Sequence, residues 1–316
     1  MTSFGEHACI IGSAAALTPE DMVYSQYREQ GAHYWRGFTI EDIINQCIGN
    51  VADLGKGRQM PVHYGSKIHN NVTVSSPLST QIPQASGSGY AFRTAKEQRV
   101  AACYMGEGAA SEGDFYTALN FAATLRCQTL FLCRNNKYAI STPIADQYAS
   151  DGVVPRAIAL GVAGARIDGN DAVACLHATQ QARKYILEEG KPYFLEFMTY
   201  RMGDHSTSDN STLYRDENER QDWKTRKDPI KRLTKFLNNV GVQGVPDEQN
   251  ERSEVRKEIT EALKKCYKHN YPTVSSMFDD VYDKLPPHLQ DQKAELMNHL
   301  KNYGHKYDYL DKYSKE

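Results

Sequence analysis

The sequence predicts an α/β fold: a parallel sheet wrapped by helices on both faces, followed by a helical C-terminal region. Three observations carry this. Val100–Met105 is a continuous apolar run, as expected of a strand buried on both faces of a parallel sheet, and Thr129–Cys133 reads as the next strand. Such strands alternate with helical patterns from Thr39 to Arg201, and strand–helix–strand repeats wrap a sheet on both sides. Strand signals then stop after Asp228–Pro229, a cap and first-turn pair, while helical ones continue. The expected division is an α/β domain over residues 1–227 and a helical region over residues 228–316.

Each element follows in turn. Thr39–Cys47 reads as a short helix with acids in its first turn. Ala52–Asn71 is rich in Gly and basic residues without periodicity, so it reads as a long functional loop. The small residues of Thr80–Ala95 suit a helix that packs closely on a neighbour. After the Val100–Met105 strand, Ser111 and Asp114 form an S-x-x-D capping signature. Phe115, Ala118, Leu119 and Ala122 follow it at helical spacing. Thr129–Cys133 is the next strand and Gly164–Ile167 a shorter one. Asp171–Glu189 is a helix closed by Gly190 and Pro192, and Tyr193–Arg201 a further strand. Met202–Asp216 is polar and reads as a mobile loop. A charged helix near Asp247–His269 and two more complete the chain.

Composition excludes several classes. The 316 residues carry 37 Lys+Arg against 39 Asp+Glu, a net charge of -2. A general nucleic-acid binder would carry a basic surplus. No stretch approaches the roughly 18 apolar residues that span a bilayer, so no membrane insertion is expected. Seven cysteines without a CxxC signal neither a disulfide framework nor a zinc site. They read as reduced thiols. The N-terminal stretch has no Arg and contains Glu6, so it reads as the inside of a folded domain and not as a leader.

The informative motif is "GEGAASEGD", Gly106–Asp114. Flanking glycines suggest a phosphate, yet a carboxylate, Glu107, stands between them. The dinucleotide fingerprint fails because Ser111 occupies its third glycine position, and the Walker motif fails because Asp114 replaces its lysine. A third reading places a metal between acid and phosphate. Mg²⁺ takes one or two carboxylates and shares its remaining positions with substrate phosphates and water. Further ligands can come from "NNKY" at the end of the next strand, because adjacent parallel strands bring their carboxyl ends together. Either half alone would usually be a turn or a cap. Joined by one helix and one strand, they look like the thiamine diphosphate motif.

The segments "QYRE", "DLGKGRQMPVHYGSK", "SSPLSTQIPQA", "GEGAASEGD", "CRNNKYAISTP", "RIDGND" and "MTYRMGDHSTSDNSTLYR" make the resemblance specific. The chain resembles the alpha subunits of branched-chain 2-oxo acid dehydrogenases, most densely from Ser25 to Arg215. The resemblance implies a thiamine-diphosphate-binding fold and oxidative decarboxylation of branched 2-oxo acids, with acyl transfer to a lipoyl arm. It implies that Glu107, the Asn136 side chain and the Tyr138 carbonyl bind Mg²⁺. Gly108 and Ala109 would line the diphosphate, with Arg28 and Arg134 pairing with its oxygens. Tyr27 and Ser76 would contact the cofactor. Ser75, Pro77, Thr80 and Gln81 match a structural potassium site, His205 a catalytic, cofactor-contacting histidine next to the reacting carbon, and Ser206 a regulatory phosphorylation site.

The implied partners are a beta subunit in an α₂β₂ assembly, a lipoyl-bearing acyltransferase core, and a regulatory kinase and phosphatase. The implied location is the mitochondrial matrix. Family members carry an N-terminal extension and a transit peptide, which makes Met1 a candidate internal methionine. Three departures stand out. Asp204-His205 replaces His-His, Lys137 replaces a usual glycine, and Asp216 replaces a second phosphorylated serine. Two alternatives remain open at this point: a related, pyruvate-type alpha subunit, or a truncated and non-catalytic assembly form.

Overall fold

The computed structural model describes residues Thr2–Lys315. Its centre is a six-stranded parallel sheet built from β1 (Met22–Tyr24), β2 (Asn71–Val72), β3 (Ala101–Gly106), β4 (Thr129–Asn135), β7 (Ala163–Asp168) and β8 (Tyr193–Met198). A two-stranded antiparallel hairpin, β5 (Tyr138–Ala139) and β6 (Thr142–Pro143), follows β4. The sheet order is β2-β1-β3-β4-β8-β7. The helices are α1 (His7–Ala15), α2 (Gln30–Trp35), α3 (Ile40–Ile48), α4 (Gln81–Ala95), α5 (Gly113–Thr124), α6 (Ile144–Gln147), α7 (Val154–Ala159), α8 (Ala172–Glu189), α9 (Glu217–Arg226), α10 (Pro229–Asn239), α11 (Glu248–Cys266) and α12 (Pro287–Tyr303). The α/β class and the sheet wrapped on both faces are as the sequence predicts.

The apolar strands divide their side chains between two cores. Ala101, Cys103 and Met105 of β3 join Phe131 and Cys133 of β4 on one face, with Phe92 of α4 and Phe115 of α5. Ala102 and Tyr104 join Leu130 and Leu132 on the other, with Cys9 of α1 and Ile186 of α8. This is the period-2 alternation of a strand, and it explains the continuous apolar runs Ala101–Met105 and Leu130–Cys133. The β3–β4 register pairs Ala101 with Thr129 and Gly106 with Arg134. The residues just past each strand, Glu107 and Asn136, therefore meet at the carboxyl edge.

The chain forms two compact units. One comprises residues 1–38 and 65–247, the other residues 39–64 and 248–316. This differs from the boundary expected at 227/228 for two reasons. Helix α10, past the expected boundary, belongs with the sheet: its Arg232 pairs with Asp168 of β7 at 2.9 Å. Helix α3 belongs with α11, through a cluster of Ile44, Ala262 and Cys266.

Several local expectations hold. Thr39 caps α3 in a reciprocal box with Asp42, Asp171 caps α8 and Asp228 caps α10. Others are corrected. Ser111 does not cap α5, which starts at Gly113 after a 3₁₀ turn over Ala109–Ser111. The Ser111 hydroxyl instead accepts from Gln147 Nε2 at 2.8 Å. Past α11 the described residues hold one α-helix and short 3₁₀ turns, where two helices were expected. All seven cysteines are free thiols, and only Cys47 is exposed. Among the described residues no helix is long and apolar enough to cross a membrane.

Candidate active site

Glu107 leaves β3 and turns inward. It is 2 % exposed. Its Oε2 accepts the Asn136 backbone N–H at 3.4 Å, while its Oε1 has no hydrogen-bond partner. Burial pushes its carboxyl up to about 7, and nearby Glu6 adds to the effect. A buried carboxylate oxygen without a donor is costly unless something cationic completes it. Asn136 Oδ1 accepts the Tyr138 N–H at 3.2 Å. The three residues expected at the metal are thus gathered at the β3/β4 edge. One carboxylate, one amide and one carbonyl make an oxygen donor set that suits a hard cation. They are not a His/Cys/Asp/Glu cluster, and the described residues hold none.

Gly108 follows at once. A Cβ there would lie 2.9 Å from the Ala139 Cβ, so the β5 strand can pack against this turn only if the residue is glycine. Gly106 is different. A Cβ there would meet nothing closer than 3.7 Å, and its N–H donates to Gln26 Oε1 at 2.8 Å. The carbonyl of buried Ala109 accepts from Ser79 Oγ at 2.6 Å.

Two expected site arginines converge here, and two glutamates that the motif reading left without a role hold them. Arg134 binds Glu6 Oε2 through Nη1 at 2.5 Å and Glu29 Oε1 through Nη2 at 2.5 Å. Arg28 Nε lies 3.7 Å from Glu6 Oε1. Both carboxylates are fully buried. Burial opposes the charge of Glu6, but Arg134 and Arg28 outweigh it and keep its carboxyl below the usual range. Glu29 was visible beside Arg28 in "QYRE"; Glu6 gave no sequence signal.

His205 joins from the loop after β8. Its Nδ1 accepts from Arg28 Nη2 at 3.3 Å, its backbone N–H donates to Asp209 Oδ2 at 2.7 Å, and its ring stands edge-on to Tyr27 with centroids 6.2 Å apart. Burial, then Arg28 and Arg201, lower its pKa to about 4. Ser206 follows, half-buried. Its carbonyl accepts from Asp209 N at 3.2 Å.

Hydrogen bonds bridge the loop expected to be mobile. Asp204 Oδ1 accepts from Ser211 N–H and Oγ, at 3.0 and 2.5 Å. Tyr214 OH donates to Asp209 Oδ2 at 2.7 Å. Arg201 donates to the carbonyls of Tyr138 and Ile140, at 3.3 and 2.6 Å, and to the Tyr214 hydroxyl at 2.9 Å. Lys137 takes a left-handed φ of 73° that glycine would adopt without strain. Its ammonium lies 5.2 Å from the Trp223 ring centroid.

The remaining expected residues form a separate turn. Thr80 Oγ1 donates to Ser75 Oγ at 2.9 Å and lies 3.1 Å from the Pro77 carbonyl. Gln81 Nε2 donates to Tyr104 O at 3.0 Å. Ser76 is exposed in the same turn.

Comparison with known proteins identifies the family. The family described as "Dehydrogenase E1 component" matches residues 1–275. A Dictyostelium discoideum protein named 2-oxoisovalerate dehydrogenase subunit alpha, mitochondrial, is 51% identical over 97% of this chain and 70% of its own length. Proteins of the same name from Caenorhabditis elegans and Homo sapiens are 48% and 46% identical, over 98% and 99% of this chain and 72% and 71% of their own. With a sheet whose β3 and β4 ends carry the paired motif, and with a match of this extent, the chain belongs to the dehydrogenase E1 component family.

Proposed function

We propose that this chain is the alpha subunit of a thiamine-diphosphate-dependent dehydrogenase that decarboxylates branched-chain 2-oxo acids, and that it works with a beta subunit in mitochondria. The names of its relatives support the substrate class and the pairing. The observation that carries the site is the unpartnered Glu107 Oε1 beside Asn136 at adjacent strand ends.

Glu107, Asn136 Oδ1 and the Tyr138 carbonyl would hold Mg²⁺. Gly108, Ala109, Arg28 and Arg134 would face the diphosphate, and Tyr27 and Ser76 the rest of the cofactor. When bound, thiamine diphosphate supplies the electron sink for loss of carbon dioxide. His205 is neutral near pH 7. Because Arg28 donates to its Nδ1, its proton sits on Nε2, which makes Nε2–H the available donor. The oxygens of Ser75, Pro77 and Thr80, with the Gln81 amide oxygen, would suit potassium.

A lipoyl-bearing acyltransferase would take the acyl group, in the matrix. Ser206 would be the point of control by a kinase and a phosphatase. The test is the complex co-expressed with its beta subunit. It should turn over branched 2-oxo acids faster than pyruvate, dependent on thiamine diphosphate. Preference for pyruvate would move it to the related subfamily, and absence of cofactor-dependent turnover would overturn the reading.

A further inference from the structure

Glu6 lies at the foot of α1, far in sequence from either half of the motif, yet it touches three residues of the site. Its Oε1 accepts from Asn136 Nδ2 at 3.1 Å and lies 3.7 Å from Arg28 Nε, and its Oε2 accepts from Arg134 Nη1 at 2.5 Å. It is fully buried.

We infer that Glu6 is a positioning residue: it fixes which end of the Asn136 amide is free to bind a cation. The inference rests on the metal reading above. The two ends of an asparagine amide are nearly equal in size, but only the oxygen can ligate a metal. A carboxylate only accepts hydrogen bonds. Against Glu6 Oε1 the amide must therefore present its nitrogen, and a flipped amide would set two oxygens against each other. The Asn136 oxygen is turned to the Tyr138 N–H, on the side of the other candidate ligand. The second oxygen of Glu6 holds Arg134 in place by accepting from its Nη1.

The backbone that carries Glu6 is held by the fold. Gly5 takes φ +96°, and a Cβ there would lie 2.2 Å from the Tyr200 carbonyl. Its own carbonyl accepts from Thr199 Oγ1 at 3.2 Å. The Glu6 carbonyl accepts the Ile10 N–H at 3.2 Å, and so belongs to the first turn of α1.

The test uses the complex purified with its beta subunit. Mg²⁺ affinity is read by calorimetry at saturating thiamine diphosphate, beside melting of the cofactor-free complex. Residues that orient metal ligands typically carry about 10–100-fold in metal affinity, and Glu6→Ala should lose that much. Glu6→Gln keeps an acceptor for the Asn136 amide but loses the charge facing Arg134. It should recover most of the Mg²⁺ affinity and weaken thiamine diphosphate binding at saturating Mg²⁺. A purely structural role would lower the melting temperature in both variants without this split.

A second pair does not depend on how Glu6→Ala folds. Asn136→Asp sets a carboxylate against Glu6 and should bind Mg²⁺ poorly, and adding Glu6→Gln should restore it by at least about tenfold, the lower bound for such residues. Wild-type Mg²⁺ affinity in Glu6→Ala, or a double variant no better than Asn136→Asp, overturns the inference while the metal reading stands. Thiamine diphosphate binding by wild type without any need for Mg²⁺ overturns the metal reading and this inference together.

Discussion

Two titratable side chains of the site are pushed in opposite directions, and the signs are testable. Glu107 has a folded pKa near 7 against an ordinary 4.5. The folded, metal-free protein therefore binds the extra proton between those values, and the stability this gives is lost as pH rises through 7. Glu107→Gln removes the charge. Melting of the metal-free complex should then show a stability gap over wild type that grows from about pH 4.5 to 7; a gap that shrinks with pH would contradict the buried carboxylate. His205 runs the other way, with a folded pKa near 4 against 6.5. The unfolded chain takes up the proton first, so stability should fall as pH drops from 6.5 to 4, and His205→Ala should flatten that slope. The same variant should keep cofactor binding and lose acyl transfer; normal transfer would remove His205 from the mechanism. The Gly-Glu-Gly and Asn-Asn halves were legible because their chemistry is local and one strand–helix–strand unit joins them. Glu6 was not legible, because its ion pair with Arg134 spans 128 residues and only the fold brings the two together.

At the scale of elements, strands were legible where burial on both faces gave them continuous apolar runs. β1 and β2, with three and two residues, are too short to carry a period, and α1 was missed with them. The S-x-x-D signature failed because Ser111 is taken into a 3₁₀ turn and bonded by Gln147. The close packing expected of the small-residue helix α4 is present: a Cβ on Gly89 would lie 2.2 Å from Thr129 Oγ1 and 2.9 Å from the Gln128 carbonyl carbon. Gly89→Ala should therefore destabilise by about 1–3 kcal/mol, measured by denaturant unfolding, and a neutral result would mean that α4 can move off β4. The His205 loop makes a second prediction. Asp204 and Asp209 flank Ser206 and already accept hydrogen bonds within the loop, and Arg201 is occupied by Tyr138, Ile140 and Tyr214. A phosphate adds roughly −1.5 to −2 charge among acids whose nearby cation is engaged. Ser206→Glu should loosen the loop, seen as faster proteolysis and slower acyl transfer. Wild-type rates of both would mean that no such switch exists.

At the scale of the molecule, the sequence announced an α/β region and a helical end, but not that residues 39–64 leave the first compact unit to join the second. That choice depends on Ile44 meeting Ala262 and Cys266, a contact with no local signature. The central claim is that the ends of β3 and β4 build a metal-dependent diphosphate site. Its most direct test is the heat of thiamine diphosphate binding to the complex with its beta subunit, with and without Mg²⁺, for wild type and Glu107→Gln. We predict tight binding that needs Mg²⁺ in wild type, and binding weakened severely in the variant while the complex stays assembled. Equal cofactor affinity in the two proteins would contradict the account.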